Sequence, residues 1–460
     1  MNTEKALDRA RKRLREKGYI SVSAENAGGS VRLFGNVPQW EDKIEAGAAL
    51  SGLGFTGIIN DIEVPGVEKE EFPVPEYCDQ SLSGKRFDVV IIGGGVIGAA
   101  AARELSKQDL SIALLEKEQD LAVHASGRND GMVHPGLAAK PGTKKAFYNI
   151  KGNRLYTQLT RELGIPFKRP GSMILLRSPF SRLAVPFFFL RAKKNGVDGI
   201  KYLPRKKVKE MEPHLTEHQY GAIFLPSAGI LSPYNLTLAL AENAIENGAE
   251  IFTETTALGF EKDGERITGV ATNRGTLLAG VVINAAGIWA DYVSEKAGDR
   301  FFTLHGRMGV DCILDKKAGK YLARICAEPS LKQAKSKTKG GGLVPTIEGN
   351  ILIGPTAEES PYREKYETKD SDIDALAQHL KLNRMFSRDQ IITYFSGIRA
   401  CSYDEDFIIR VSPKVENLIH AAGIQSPGLA SAPAIAEELA RLTSEVLEKL
   451  TGRKPKARKN

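Results

Sequence analysis

The sequence predicts an α/β protein in which a doubly wound parallel sheet is joined to a mixed-sheet α+β unit and is preceded by a small αββαβ unit. Strand and helix patterns alternate from Phe87 onward, which is typical of βαβ units. A glycine-rich turn joins the first of these strands to an alanine-rich helix. Ahead of them, residues 1–66 carry strand and helix patterns of their own. A chain of 460 residues is long enough to form two or three packed units.

The first predicted unit has the order αββαβ. Its predicted elements are a helix over 4–17, strands over 20–25 and 30–34, a helix over 40–53 that ends at Gly54, and a strand over 56–64. This order, with VRLFGNV ahead of a helix and GIINDIEV as the last strand, resembles the BON domain. The resemblance implies a small module that binds lipid surfaces or partner proteins.

The segment DVVIIGGGVIGAAAARELS places three glycines where a hydrophobic strand turns into a helix. Gly93 permits the tight turn, Gly95 lets the backbone approach a pyrophosphate, and Gly98 lets the helix pack closely on the strand. The free N–H groups of the helix start face the phosphates. Glu116 ends the second strand, where its carboxylate accepts hydrogen bonds from ribose hydroxyls and disfavours a 2′-phosphate. The pattern therefore predicts a Rossmann-like site for FAD or NAD rather than NADP.

Two later segments favour FAD. Residues 281–287 (VVINAAG) form a β-branched strand that runs into a small-residue turn at Ala286 and Gly287. Residues 418–429 (LIHAAGIQSPGL) form another strand and glycine turn, which opens a helix that runs on from Pro433. A second helix N-terminus is thereby expected at the flavin end of a long cofactor.

These segments, with HASGRNDGMVHPG at 124–136 and FSGIRA at 395–400, resemble the D-amino-acid-oxidase-type FAD-dependent oxidoreductases. The resemblance covers residues 86 to about 447. Within that superfamily the chain is most similar to the branch of anaerobic-type glycerol-3-phosphate dehydrogenases and L-2-hydroxyglutarate oxidases, through SGRNDGMVHPG, VPTIEGNILIGPTAE and GIQSPGLASAPAIAEEL. It departs from the glycerol-3-phosphate group because no cysteine-rich extension follows the core, so electron delivery to a quinone through such an extension is not expected.

The resemblance implies a set of residues that bind the cofactor, FAD. Gly93, Gly95, Gly98 and Glu116 would hold the ADP half. The residues implied nearer the pyrophosphate and the flavin are Ser126, Arg128, Asn129, Gly131, Ala286, Gly287, Gly397, Gly423, Ser426 and Gly428.

The resemblance also divides the chain. Residues 67–85, which have no hydrophobic period, are expected to be a linker or a wrapping segment. The large unit is expected over 86–460. Its predicted FAD-binding parts are about 86–170, 220–300 and 390–447, its substrate parts are about 171–219 and 301–389, and its end over 448–460 is a basic tail.

Arg399 is the first candidate for substrate binding. Oxidation at a flavin needs a cation that fixes an acidic substrate and a base that takes its proton. Arg399 in FSGIRA matches the arginine that commonly grips a carboxylate or phosphate in the family, and a planar guanidinium can do so with two parallel hydrogen bonds. The alternative is a structural ion pair with an acid of the stretch 404–406. Arg307 is a second candidate cation, with salt-bridge duty as the alternative.

Two histidines are candidate bases. His134 lies in the segment expected beside the flavin, and a histidine titrates near physiological pH. His305, two residues before Arg307, is the second candidate. For both histidines, a purely structural role stays open.

The predicted function is oxidation of a small anionic substrate, glycerol 3-phosphate or a 2-hydroxy acid, by hydride transfer to flavin. An amine or amino-acid oxidase of the same fold is the first alternative, because the same arginine and flavin serve both chemistries. A flavoprotein subunit or a lipid-surface-associated regulator is the second. The electron acceptor stays open among oxygen, a quinone and a partner protein.

Composition narrows the expected partners and location. The net charge is +8, with much of it in the first 20 residues and in GRKPKARKN; the ends are solvated or attract an anionic partner. The four cysteines form no CxxC pair, so neither a metal site nor a redox dithiol is expected. The charged N-terminus predicts a cytoplasmic protein, with peripheral contact to the inner face of the membrane left open. No nucleic-acid partner is indicated.

Overall fold

A computed structural model describes residues 3–217, 219–328 and 341–458. Its helices, α1 to α10, are Thr3–Glu16, Trp40–Ala49, Val96–Ser106, Lys144–Glu162, Val185–Asn195, Arg205–Met211, Pro233–Glu246, Ala290–Lys296, Asp370–Ala377 and Gly428–Thr451. Its strands, β1 to β22, are Val22–Ala27, Ser30–Asn36, Ile58–Glu63, Arg86–Ile92, Ile112–Leu115, Met132–Val133, Ser172–Leu175, Lys201–Leu203, Ala222–Leu225, Gly229–Ile230, Glu250–Phe252, Ala257–Asp263, Arg266–Thr272, Gly275–Asn284, Leu304–Leu314, Ile325–Ala327, Gly342–Pro345, Ile351–Gly354, Glu358–Ser360, Ile391–Ser402, Ile408–Val411 and Leu418–Ala422.

The first large sheet has a parallel centre. Strands β11, β5, β4, β14 and β22 pair in parallel, while β13, β12 and β21 are antiparallel additions at its borders. Helices α3, α7 and α10 cover one face, where alanine-rich surfaces let them approach the sheet closely. Parallel strands end at the same edge of a sheet, so the turns after β4, β5 and β14 lie together. That edge is where the sequence predicts the cofactor.

The second large sheet is mixed. Strand β15 pairs along its length with β20, and on its other side with β18 and β19. The sheet continues through β17, β16, β7, β9 and β8, with only the β16–β7 pair parallel among the described strands. The predicted fold class, a Rossmann-like part joined to a mixed sheet, is confirmed.

The small N-terminal unit has the predicted αββαβ order, with α1 and α2 packed on the sheet β1-β2-β3. It also shares a core with the rest of the chain. Tyr403, the residue after β20, is 4% exposed and belongs to the hydrophobic cluster of this unit. A Cβ on Gly47 would lie 2.4 Å from the Tyr403 ring, so only a glycine permits this contact. Asp61 accepts hydrogen bonds from Arg300, 2.5 Å away.

The two segments predicted to be linker and tail are both held against the large unit. In the stretch 67–85, Phe72 stacks on Tyr292 with ring centroids 4.2 Å apart. This fits the wrapping alternative. In the tail, helix α10 continues to Thr451, and Arg453 then pairs with Asp109 at 2.8 Å. The described part of the tail is therefore exposed, as expected of a solvated end, and is also tied to the large unit.

Some predicted boundaries differ from the strands and helices observed. Helix α10 begins at Gly428 and not at Pro433, because the glycine turn opens directly into the helix. Strands β9 and β20 belong to the second sheet, so the predicted FAD-binding parts 220–300 and 390–447 each begin with a strand of the other sheet. Residues 1, 2, 218, 329–340, 459 and 460, which belong to predicted parts, lie outside the described residues.

The described helices offer no candidate for a membrane span. Across residues 3–217, 219–328 and 341–458, no helix is both long enough and apolar enough to cross a bilayer.

Replacing Tyr403 should weaken the attachment of the N-terminal unit. Removal of a buried aromatic side chain costs about 3–5 kcal/mol, so Tyr403→Ala should lower the free energy of unfolding by that order. Tyr403→Phe keeps the ring and should cost far less. Denaturant unfolding followed by circular dichroism measures both, with Tyr394→Ala, an exposed tyrosine of β20, as the control. Equal stability of Tyr403→Ala and Tyr394→Ala would contradict a shared core.

Candidate cofactor and substrate site

A cavity of about 700 Å³ runs from the carboxyl edge of the parallel strands to the second sheet. Gly93, Glu116 and Ala286 line it from the first sheet, and Gly397 and Arg399 line it from β20. Cavities of this size enclose organic ligands. The two sheets therefore meet around one elongated site.

The glycine turn after β4 has no room for side chains. Gly93 has a φ of +113°, and a Cβ there would lie 2.4 Å from the carbonyl oxygen of Ala285. A Cβ on Gly98 would lie 1.9 Å from the carbonyl oxygen of Gly93, so this glycine sets the distance between α3 and β4. Gly95 is the N-cap of α3 and faces Ser126. The turn thus exposes backbone N–H groups to the cavity.

Glu116 lies at the end of β5 with 8% of its surface exposed. Its carboxylate accepts hydrogen bonds from the amides of Gly94, at 2.7 Å, and Glu118, at 2.9 Å. Burial raises the pKa of this carboxyl, and the two amides oppose the shift. The side chain is fixed at the cavity wall, where its remaining acceptor capacity suits ribose hydroxyls.

The loop 124–131 closes over the start of α3. Ser126 Oγ accepts a hydrogen bond from the amide of Val96 at 2.9 Å, so it satisfies one free donor of the helix. Asn129 donates to the carbonyl of Ser126 at 2.7 Å and accepts from the amide of Gly131 at 3.0 Å. Arg128 donates to the carbonyl of Val123 at 2.8 Å. Asn129 and Arg128 therefore hold the loop in shape as well as lining the cavity.

A cluster of charged side chains closes the cavity beside this loop. Glu118, His124 and Glu364 lie close enough together to hold a metal ion. Lys117 Nζ, however, lies 2.9 Å from His124 Nε2 and 3.0 Å from Glu364 Oε2, and it also pairs with Glu118. The ammonium group of Lys117 thus occupies the place that a metal ion between these three side chains would need. His124 also contacts the hydroxyl of Tyr366 at 2.5 Å, which holds the segment around Glu364 over the cavity.

The other end of the cavity receives the N-terminus of α10. Ser426 and Gly428 line the cavity at this helix start, where the unpaired N–H groups and the helix dipole favour negative charge. His134 lines the same region, and its Nε2 lies 3.3 Å from Ser426 Oγ. The segment after β6 and the start of α10 therefore bring a histidine and a serine together at one end of the site.

Three predicted cofactor residues lie behind the cavity wall. Gly98, Gly131 and Gly423 do not line the cavity. Gly131 has a φ of +64°, and a Cβ there would meet the carbonyl oxygen of Leu231 at 2.3 Å. Gly423 has a φ of +63°. These glycines shape the turns that carry the wall, and for Gly98 this is the close packing of helix on strand that the sequence predicts.

Arg399 projects into the cavity from β20 and is half-buried. Its Nη2 lies at 3.5 Å from the carbonyl oxygen of Thr356, and its Nη1 is buried without a hydrogen-bond partner among the described residues. A Cβ on Gly309 would lie 2.5 Å from the guanidinium, so the neighbouring strand leaves space for it. The Arg399 guanidinium is thus held at the cavity wall with an N–H group, that of Nη1, available to a ligand.

Asp311 is a buried acid on the same wall that sequence reasoning missed. It is 2% exposed, and its Oδ1 has no hydrogen-bond partner among the described residues. Burial, together with the charge of Asp130, raises the pKa of Asp311 well above its ordinary value, and the charge of Arg399 opposes this. The site therefore presents a cation beside a carboxyl group that favours its neutral form.

Arg307 and His305 do not reach the cavity. Arg307 is 2% exposed and binds Glu359 at 2.8 Å and Glu405 at 2.6 Å. His305 Nδ1 lies 2.7 Å from Glu359. Burial would raise the pKa of Glu405, but the hydrogen bond and charge of Arg307 lower it to about 2. These side chains form an ion-pair network outside the cavity, which fits the salt-bridge alternative for Arg307 and a structural role for His305.

Gln425 connects this network to the cavity. Its Nε2 donates to Glu405 at 2.7 Å, and its side chain lines the cavity next to α10. Lys145, also on the wall, lies 3.5 Å from Glu405. Burial lowers the pKa of Lys145. Gln425 lies in the predicted segment 418–429 but was not singled out there, and Lys145 carried no motif in the sequence.

One cavity thus contains a glycine turn at a helix start, a carboxylate placed for ribose hydroxyls, and a second helix N-terminus. This combination defines a dinucleotide-binding oxidoreductase. Residues 88–442 match the family of FAD dependent oxidoreductases, DAO, and the chain belongs to this family. Its cofactor is FAD. The residues present fit this group, because the cradle at Gly93 and Gly95 excludes side chains and the cavity continues to α10.

Relatives with named activities lie in the predicted branch. A glycerol 3-phosphate dehydrogenase from Caloramator mitchellensis is 36% identical, over 79% of this chain and 75% of its own. A mitochondrial L-2-hydroxyglutarate dehydrogenase from Nematostella vectensis is 29% identical, over 68% of this chain and 71% of its own. The solved structure of dithionite-reduced L-alpha-glycerophosphate oxidase from Mycoplasma pneumoniae with FAD bound has a TM-score of 0.74 at 26% identity, covering 82% of this chain and 97% of that one. The predicted family is confirmed, while the BON-like resemblance stays a prediction.

Replacing Gly95 with valine should abolish FAD binding. The new side chain would start 2.9 Å from Ser126 Oγ, in the space that the pyrophosphate needs. Gly259→Val is the matched control, because a Cβ on Gly259 meets nothing within 4 Å. The measurement is the ratio of flavin to protein absorbance after purification. Full occupancy in Gly95→Val would remove this turn from the cofactor site.

Asp311→Asn should make stability less dependent on pH. An unfolded aspartate loses its proton near its ordinary pKa of 3.8, whereas the folded chain keeps Asp311 protonated to higher pH. The folded state therefore binds more protons, and this residue lowers the free energy of unfolding as pH rises above 3.8. Thermal unfolding between about pH 5 and pH 8 should show a shallower decline in Asp311→Asn than in the parent. Asp263→Asn, at an exposed aspartate, is the control, and an identical slope in all three proteins would refute the assignment.

Proposed function

We propose that this protein oxidises a small anionic secondary alcohol, with glycerol 3-phosphate and 2-hydroxy acids as the substrates to test. The observation that carries the proposal is Arg399, whose guanidinium lines the cavity with Nη1 unpaired among the described residues. A guanidinium forms its strongest hydrogen bonds with a carboxylate or a phosphate, because two oxygens of such an anion can accept two parallel N–H bonds. The site therefore favours an anionic substrate over a neutral one.

The acids that could have neutralised Arg399 are engaged elsewhere. Glu405 binds Arg307, and Asp406 accepts hydrogen bonds from the amides of Lys144 and Lys145 at 3.0 and 2.9 Å. The carboxyl of Asp311 lies on the same wall but favours the protonated form. Glu405 and Asp406 are thus held by other partners, which supports the clamp role over a structural ion pair with either of them.

His134 is the proposed base. Its imidazole lines the cavity at the start of α10, and a neutral imidazole nitrogen can accept the proton of a substrate hydroxyl. Ser426, 3.3 Å from His134 Nε2, would orient either the ring or the substrate hydroxyl.

The bound FAD supplies the acceptor for the hydride that leaves the substrate carbon. Gly93, Gly95 and Glu116 would hold its ADP half, and the loop at Ser126 with Gly397 would hold the part nearer the flavin. The named relatives support this reading, since glycerol 3-phosphate and L-2-hydroxyglutarate both carry a secondary hydroxyl and an anionic group. The greater identity to the first makes glycerol 3-phosphate the first substrate to test.

Replacing Arg399 with lysine should weaken substrate binding and leave FAD in place. Lysine keeps the charge but loses the planar pair of donors, so the apparent affinity should fall about tenfold or more. The measurement is anaerobic bleaching of the flavin by glycerol 3-phosphate and by 2-hydroxy acids. Arg388→Lys, at an exposed arginine ahead of the same strand, is the control. Unchanged concentration dependence in an active Arg399→Lys enzyme would exclude the clamp role.

A further inference from the structure

Residues 179–194 form the most apolar exposed segment among the described residues. A 3₁₀ turn over Pro179–Ala184 runs into helix α5. Phe180 and Leu183 are each 80% exposed, and Phe187 and Leu190 are more than half exposed. Spacings of three and four residues place these four side chains on one side. We call this stretch the 179–194 surface.

The segment is firmly attached, so the exposure is not that of a loose loop. Phe188 and Ala192 point inward and join a cluster with Leu137 and Leu225. Side-chain hydrogen bonds also fix α5 to the backbone that follows His134. Arg191 donates to the carbonyls of Leu137 and Ala138 at 2.9 and 2.6 Å, and Asn195 donates to that of Gly136 at 2.9 Å. The outward apolar face is therefore held in place, and its large side chains stay exposed among the described residues.

The charge of the segment has one sign. Arg182, Lys193 and Lys194 flank the apolar side chains and are exposed. No aspartate or glutamate occurs between Glu162 and Asp198 in the sequence. A rigid face with large apolar side chains and only basic neighbours has the composition of helices that lie in the interface of an anionic bilayer.

We propose that the 179–194 surface docks the protein on an anionic lipid bilayer. Phe180, Leu183 and Leu190 enter the interfacial region, and Arg182, Lys193 and Lys194 meet the lipid headgroups. The segment is too short to span, so the contact is peripheral. This inference concerns an interaction surface, and it does not depend on which alcohol is oxidised.

The 179–194 surface lies beside the large cavity. Phe187, Phe188 and Arg191 also line the large cavity, so the docked face borders one side of the site. A lipophilic electron acceptor dissolved in the bilayer would meet this side of the protein first. The proposed docking therefore places the cavity next to the membrane without a membrane-spanning helix.

The test is co-sedimentation of the FAD-loaded full chain with vesicles of equal parts phosphatidylcholine and phosphatidylglycerol, against vesicles of phosphatidylcholine alone. The parent should bind the anionic vesicles. Phe180→Ser with Leu183→Ser should lower the partition coefficient about tenfold or more, because two large apolar side chains no longer leave water. Lys193→Gln with Lys194→Gln should lower it about fivefold for each charge removed. FAD content should be unchanged, since none of these residues lines the cavity.

Ile20→Ser with Ile245→Ser is the matched control, because it removes two exposed apolar side chains elsewhere, one of them in the N-terminal unit. This variant should bind like the parent. Loss of binding in the control together with retained binding in Phe180→Ser/Leu183→Ser would overturn the proposal, as would a parent that ignores anionic vesicles. A dimer in gel filtration that Phe180→Ser/Leu183→Ser dissociates would also overturn it, because a second copy would then cover the surface.

Discussion

The contact between Gly98 and the carbonyl oxygen of Gly93 is the constraint on which the site depends. Because no side chain separates them, α3 begins directly against the end of β4 and its free amides face the cavity. A methyl group at this position would push the helix away from the strand and move Gly95 and Ser126 with it. The remaining cofactor contacts, from Glu116 to α10, are arranged around a turn whose position this contact determines.

The second sheet adds the substrate side without a separate scaffold. Strand β20 carries both Gly397, where a Cβ would meet the carbonyl oxygen of Arg128, and Arg399. The register of β20 with β15 places Arg399 opposite Arg307, with the two arginines in different environments. Arg307 is neutralised by Glu359 and Glu405, whereas Arg399 keeps donor capacity for a ligand. Arg307 on β15 is thus paired within the protein, while the neighbouring strand β20 carries Arg399 with N–H groups available to a ligand.

The sequence predicted the parts of this site that depend on local backbone geometry. Gly93, Gly95 and Glu116 lie on one βαβ unit, whose spacing limits the positions they can take, so their place in the cavity followed from the motif. Arg307 and Arg399 could not be separated in this way, since both occur in similar strand contexts and only the pairing of β15 with distant acids distinguishes them. Asp311 and Lys145 were missed for a related reason. Their pKa shifts arise from burial by elements remote in sequence, which no local pattern reports.

Tyr403 has a consequence for the order in which the chain can be completed during synthesis. The N-terminal unit leaves the ribosome long before Tyr403, yet its hydrophobic cluster includes the Tyr403 ring. Until β20 has been made, Gly47 and Asn60 face water where Tyr403 will lie. Contacts between such distant residues form slowly, because closing the long loop between them costs entropy before the contact stabilises the fold. Part of the core of the nascent N-terminal unit therefore stays uncovered while the residues between this unit and Tyr403 are being made.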